Sequence, residues 1–324
     1  MLPPTFADLS AQMFRLYLDG QYAEAYDLVT REAPRFPERA PRLYYWRVCL
    51  ASVKGDTALA LHLMDEAFAA GHWFSPFLLR EDSDLKPLQG LPEFERGVEI
   101  CQERLAAAQA QAVPQITTLR PAGPRPKAYP LLMALHGNQQ NMWMAGDRWG
   151  PAVSRGWLLG LPQSSQVAGP DMFVWDDREW AVREVQAHFA TLCEQYEVDR
   201  GRVVLGGFSA GAETAVLLAL KGVIPARGVI AVGPGGPYTN EPEKWCPFIE
   251  ASKNRNLRAY LIVGEEDVFC LKGTQALAEF LRSRGLPCGL EVHPGLAHDF
   301  PPAFEQSLLR ALAFVEDAIP QDTQ

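Results

Sequence analysis

Ser209 lies in the segment Gly206-Gly207-Phe208-Ser209-Ala210-Gly211-Ala212. A β-type run, Arg202-Val203-Val204-Leu205, leads into it, and a helical pattern, Glu213–Leu220, leads out. Gly-x-Ser-x-Gly in that setting predicts a tight strand-to-helix turn, with the serine hydroxyl held outside the sheet edge at a helix N-terminus. Such a turn leaves no room for side chains on its flanks, and both flanks are glycine. The chemistry this suits is nucleophilic attack by a hydroxyl. The competing reading is a Gly-rich turn with an idle serine.

A serine hydroxyl is a weak nucleophile at neutral pH and needs a base, and a histidine base needs an acid to orient its ring. In an α/β sheet these groups belong in loops at the carboxyl ends of strands. Two later apolar runs offer them. Ala259-Tyr260-Leu261-Ile262-Val263 ends in Gly264-Glu265-Glu266-Asp267. Gly289–His293 is followed by Pro294-Gly295-Leu296-Ala297-His298-Asp299-Phe300-Pro301. Asp267 is the preferred acid, with Glu265 and Glu266 as rivals nearer the strand end. His298 is the preferred base, with His293 read as a sheet residue. His62, His72 and His188 fall on helical or early segments and read as surface or core residues. Asp171, Asp176 and Asp177 precede a helical pattern and suit its cap. Glu213, one turn past the serine, suits the helix dipole and is also a candidate neighbour of the site.

The elements that must position these groups occupy residues 113–324. Short apolar runs there alternate with helical patterns. Strands are expected at Ile116–Leu119, Leu131–His136, Trp157–Leu161, Val203–Gly206, Gly228–Val232, Ala259–Val263 and Gly289–His293. Helices are expected at Glu179–Glu197, Ala212–Lys221, Gly273–Arg284 and Pro302–Ala318. Strand–helix alternation implies an α/β fold with a mainly parallel sheet covered on both faces. The proline-rich Pro121–Pro130 reads as a loop.

Residues 1–112 differ, with helical signals and no clear strand. Thr57–Ala70 carries Leu61, Met64 and Phe68 on one stripe, with Asp56 placed as N-cap and Gly71 as the residue after the C-cap. A last helix runs over Glu93–Gln111. Gly20-Gln21-Tyr22-Ala23-Glu24-Ala25 is echoed by Gly55-Asp56-Thr57-Ala58-Leu59-Ala60. That spacing lies close to the tetratricopeptide period of about 34 residues. A small all-α, tetratricopeptide-like domain is therefore expected over 1–112.

Bulk properties exclude several classes. With 48% hydrophobic and 21% charged residues the composition is that of a soluble globular chain. The net charge of −9, with neither half basic, argues against nucleic acid and against electrostatic attachment to anionic lipid. No apolar run is long enough to span a bilayer, and the first residues lack a secretory pattern. The 6 cysteines form no C-x-x-C pair, which suits reduced thiols in a cytoplasmic setting. No cofactor or metal is implied.

Four ordered pieces carry a family resemblance: Leu135-His136-Gly137-Asn138, Gly207-Phe208-Ser209-Ala210-Gly211, Gly264-Glu265-Glu266-Asp267 and Gly295-Leu296-Ala297-His298-Asp299-Phe300-Pro301. From about residue 115 onward the chain resembles the α/β-hydrolases, within them the carboxylesterase, phospholipase and polyhydroxyalkanoate-depolymerase-like branch. The order Ser209, Asp267, His298 is the order that fold uses. The resemblance implies an oxyanion hole from the backbone N–H groups of Ala210 and of Asn138, with Gln139 as the second choice for the latter. It implies a structural role for His136 as a buried ring bracing that loop.

These readings converge on a serine carboxylic-ester hydrolase acting on a small-molecule ester. A thioesterase or peptidase with the same triad, or a non-catalytic hydrolase shell used for binding, are the alternatives. Met142, Trp143, Met144, Trp149, Phe173, Trp175 and Trp180 follow the relevant strands and suit either an acyl pocket or the core. The insert Gly233–Arg258 is too short for a large helical lid, so activity is expected to fall with longer acyl chains. The helical region could dock a protein in a concave groove, mediate self-association or partly roof the active site; with only two units, packing against the hydrolase domain is the preferred reading.

Overall fold

The computed structural model describes residues 5–124, 126–251 and 256–316. The chain divides into two compact units: residues up to 111 together with 167–170, and the remainder from 112 onward.

The first unit is helical: α1 Phe6–Leu18, α2 Tyr22–Glu32, α3 Ala40–Val53, α4 Thr57–Ala69, α5 Pro76–Glu81 and α6 Pro92–Gln111. The two echoed glycines have the same job. Gly20 and Gly55 follow the C-caps of α1 and α3 with φ of 73° and 81°, a region other residues avoid. The Gly20 N–H donates to Tyr17 O and the Gln21 N–H to Leu16 O; Gly55 and Asp56 repeat the pattern with Ser52 O and Ala51 O. This is the Schellman closure, and it reverses the chain into the next helix. The Asp56 side chain caps α4 by accepting from the Leu59 N–H at 3.0 Å. Small residues let the pairs approach: Ala25, Ala51, Ala60 and Ala67 are all fully buried.

From residue 112 onward the elements are β1 Gln115–Leu119, β2 Tyr129–Leu135, α7 Met142–Trp149, β3 Leu158–Gln163, the short ribbon β4 Gln166–Gly169 and β5 Met172–Val174, α8 Arg178–Gln195, β6 Val198–Phe208, α9 Ala210–Lys221, β7 Gly228–Val232, α10 Cys246–Ala251, β8 Arg258–Gly264, α11 Leu271–Ser283, β9 Cys288–His293 and α12 Phe304–Glu316. The main sheet has seven strands in the order β1-β3-β2-β6-β7-β8-β9. Only the β1–β3 pair is antiparallel. Each residue of β2, β3 and β7 is buried, as parallel strands covered on both faces require. Alternate residues divide between the faces. Leu131, Met133 and Leu135 pack with α8, α9, α10 and α11. Leu132 and Ala134 pack with α7 and α12 on the other side.

All seven expected strands and the four expected helices of this region form, with ends shifted by a few residues. Residues 317 and 318 of the last expected helix, and Arg125 in the proline-rich loop, lie outside the described residues. Helix α7 and the β4–β5 ribbon are additions that the sequence pattern does not announce. The topology also fixes where chemistry can sit. After β2 the chain runs to one side of the sheet, to β3; after β6 it runs to the other, to β7. The carboxyl ends of β2 and β6 therefore flank the switch point, where loops diverge and leave a crevice.

Candidate active site

Ser209 stands between β6, the central strand, and α9. Its φ of 54° and ψ of −124° are unusual for a residue with a side chain and cost on the order of 1–3 kcal/mol. The neighbouring glycines are what the turn can tolerate. A Cβ on Gly207 would overlap the backbone of Gly211, and one on Gly211 would overlap the carbonyl of His136 at the end of β2. The turn is thus wedged between its own helix and the next strand. The Ser209 N–H donates to Val232 O at 2.9 Å, which ties the turn to β7 as well.

The two other loops converge on the serine. Ser209 Oγ donates to His298 Nε2 at 2.9 Å, and His298 Nδ1 donates to Asp267 Oδ2 at 2.7 Å. Asp267 is 2% exposed, and its other oxygen accepts from the Cys270 N–H at 3.0 Å and the Phe269 N–H at 3.3 Å. The acid loop and the histidine loop are joined by backbone. The Glu265 N–H donates to His293 O and the Glu266 N–H to Leu296 O, both at 2.9 Å. Gly264 allows this approach, because a Cβ there would overlap Leu296 O. The His298 ring leans on Phe208, with centroids 4.9 Å apart, and the imidazole keeps an open side with 31% of its side chain exposed.

The loop after β2 places a further donor at the same edge. The Gly137 N–H goes to Gln140 Oε1, the Gln139 N–H to Phe173 O and the Gln140 N–H to Gly137 O. That leaves the Asn138 N–H as the uncommitted one of the four among the described residues. The Asn138 side chain is pinned, donating to Asp176 Oδ1 at 2.8 Å and accepting from the Trp175 N–H at 3.0 Å. Ala210 is the first residue of α9, so its N–H is among those a helix leaves unpaired. His136 is buried beneath the loop. Its Nδ1 donates to Gly137 O at 2.8 Å, and its Nε2 accepts from Gln163 Nε2 at 3.0 Å. Desolvation lowers its pKa to about 4, which keeps the ring neutral and suits bracing.

The comparisons with known proteins agree with the fold. Residues 5–109 match the family model described as "A/B hydrolase-like, N-terminal domain", and residues 163–311 match that of the dienelactone hydrolase family. Together with the fold, the two models support an α/β-hydrolase superfamily member.

A crystal structure of an uncharacterized protein from Bacillus cereus ATCC 10987 is 29% identical, with a TM-score of 0.55, over 97% of this hydrolase and 99% of that chain. The structure of esterase PE8 is 20% identical with a TM-score of 0.52, covering 62% of this chain and 99% of its own. Arabidopsis thaliana SOBER1 is 16% identical with a TM-score of 0.50, covering 59% and 100%. The last two likenesses concern the fold. No curated protein matches the sequence. The dienelactone hydrolase match marks the chain as a hydrolytic enzyme.

Within this hydrolase the rival residues are placed elsewhere. Glu265 and Glu266 are exposed, whereas Asp267 is buried. His293 pairs with Glu291 Oε1 at 2.7 Å within β9. His62 is exposed beside Glu66, His72 packs on Tyr44, and His188 is buried in α8. Asp177 caps α8 by accepting from the Trp180 N–H at 2.8 Å. Of the aromatic candidates, Trp149 and Trp175 are fully buried core residues, and Trp143 is exposed. Trp149 packs edge-on to Phe304 and over Gly206. No helix among the described residues is long and apolar enough to cross a membrane.

Glu213 does more than face a helix dipole. It is 0% exposed and pairs with Arg178 Nη2 at 2.9 Å. Its other oxygen accepts from the Thr239 N–H at 2.8 Å, Thr239 Oγ1 at 2.9 Å and the Tyr238 N–H at 3.1 Å. The carboxylate therefore ties the loop after β7 to the helix that starts at the serine. That loop touches the site directly, since the Gly235 N–H donates to Ser209 O at 3.3 Å. The sequence signal for this role is limited to a carboxylate in an otherwise apolar helix turn.

Proposed function

We propose that the chain is a serine hydrolase that cleaves carboxylic esters of short acyl groups through an acyl-enzyme. The observation that carries this reading is the unbroken chain of hydrogen bonds from Ser209 Oγ through His298 to Asp267. Ser209 Oγ attacks the ester carbonyl as His298 Nε2 takes its proton. Asp267 holds the imidazole in the tautomer with a free Nε2 lone pair and stabilises the cation that forms. The Asn138 and Ala210 N–H groups receive the oxyanion; one such donor contributes roughly 3–4 kcal/mol in the transition state. His298 then gives its proton to the leaving alcohol, and water enters by the same steps in reverse.

The test is a fluorophosphonate probe together with 4-nitrophenyl esters of increasing acyl length. The probe should label Ser209 and no other residue. Ser209→Ala should abolish labelling and lower kcat by about 10⁴–10⁶, and rates should fall as the acyl chain lengthens. Full ester hydrolysis by Ser209→Ala would discard the acyl-enzyme mechanism. Faster cleavage of thioesters or acyl-peptides than of any ester would keep the mechanism and reassign the bond.

A further inference from the structure

Cys270 takes no part in the proposed reaction, yet its Sγ lies 3.6 Å from His298 Nδ1. It is buried at the start of α11, and Gly235 of the β7 loop lies close against the thiol, where a Cβ would be 2.9 Å away. Asp267 Oδ2, His298 Nδ1 and Cys270 Sγ all fall within 4.8 Å of one another. They are a carboxylate oxygen, an imidazole nitrogen and a thiol sulfur, the three ligand types that zinc accepts.

We propose that Asp267, Cys270 and His298 form an inhibitory site for a thiophilic divalent cation, with Zn²⁺ as the type ligand. The inference rests on the catalytic reading above. A tetrahedral zinc ion with ordinary bond lengths separates a nitrogen and a sulfur ligand by about 3.6 Å, the separation Sγ and Nδ1 already have. It separates nitrogen and oxygen by about 3.3 Å, so Oδ2 must withdraw modestly from its present 2.7 Å. Oδ2 is the oxygen facing the ring; Oδ1 stays on the Cys270 and Phe269 N–H groups. A fourth position is left for water.

The step balances with one proton released. Cys270 loses its Sγ proton to solvent, the ring proton leaves Nδ1 and the ring is reprotonated at Nε2, and the cation takes Sγ, Nδ1 and Oδ2. Burial pushes the free thiol up to about 12, so the thiolate forms with the cation rather than before it. Inhibition follows from the tautomer. With Nδ1 on the metal, Nε2 carries the proton and can no longer accept one from Ser209. Hard cations such as Mg²⁺ gain little from a sulfur ligand and should not compete.

The experiment uses the full-length chain and Zn²⁺ alone in isothermal titration calorimetry, with Mg²⁺ as control. One equivalent of Zn²⁺ should bind, and Cys270→Ala and Cys270→Ser should each weaken binding by at least about tenfold. The same Zn²⁺ should slow both 4-nitrophenyl acetate hydrolysis and fluorophosphonate labelling of the wild type, while each Cys270 variant should lose that sensitivity relative to its own metal-free rate. Absence of Zn²⁺ binding in an active wild type would overturn the site and leave the catalytic reading standing. Equal binding by the wild type and both variants would also overturn it. Binding that depends on Cys270 in a protein inactive without metal would support the site and sink the catalytic reading.

Discussion

Two loops border Ser209, and they are built on different physics. The elbow after β6 is set by backbone contact: Gly207 abuts Gly211, and Gly211 abuts the end of β2. The loop after β7 is held by a side chain, the buried carboxylate of Glu213, which reaches Tyr238 and Thr239 on one side and Arg178 on the other. A steric rule acts on residues adjacent in sequence and leaves a compact motif. A clamp of this kind joins residues 25 to 35 positions away and leaves only a charged residue in an apolar helix.

The elbow should be the more fragile of the two. Gly211→Ala places a methyl group on the His136 carbonyl, where neither strand nor helix can yield without moving the serine or the oxyanion loop. The expected outcome is complete loss of fluorophosphonate labelling and a stability loss of about 3 kcal/mol or more, read from urea midpoints. A Gly211→Ala variant that labels at the wild-type rate would show that the turn is less tightly wedged than the contacts indicate.

The clamp should fail by degrees. Glu213→Gln keeps acceptors for Tyr238 and Thr239 but leaves the Arg178 guanidinium without its charge partner. Removing one member of a buried pair typically costs about 3 kcal/mol, and a displaced β7 loop should lower kcat by up to about a hundredfold. Because the loop positions the serine turn, the loss should fall on kcat more than on KM. A variant that loses stability with kcat and KM unchanged would make Glu213 a purely structural residue.

Much of the site is legible in the sequence for the same reason that the elbow is. Ser209, Asp267 and His298 follow the ends of β6, β8 and β9, and strand ends can be read from apolar runs that stop at glycine. The strands form where those runs lie, and the glycine echo at positions 20 and 55 marks the turn within each of two helix pairs. What the sequence does not disclose depends on partners distant along the chain. The resemblance ranks Asn138 before Gln139 without a physical ground in the sequence; Phe173, more than thirty residues on, takes the Gln139 N–H and supplies one. Trp149 and Trp175 suit a pocket or the core equally, and packing on Phe304 and His136 assigns both to the core. Helix α7 escapes the sequence pattern because its 8 residues, two of them tryptophan, are too few to show a period.

The smallest effect concerns the acid loop, where backbone and side chains again divide the work. Glu265 and Glu266 contribute their N–H groups, which bind the histidine loop, while their carboxylates stay in solvent. Glu265→Gln keeps the N–H and removes only an exposed charge, so kcat should stay within about twofold and stability within about 0.5 kcal/mol. Asp267→Asn, two residues on, removes the charge that faces His298 and favours the wrong tautomer, with an expected kcat loss of about 10⁴. Measured side by side on one ester, the pair separates the two roles: a large loss in Glu265→Gln beside a near-normal Asp267→Asn would move the acid to the strand end. The burial of Asp267 and its bond to His298 Nδ1 argue for the opposite result.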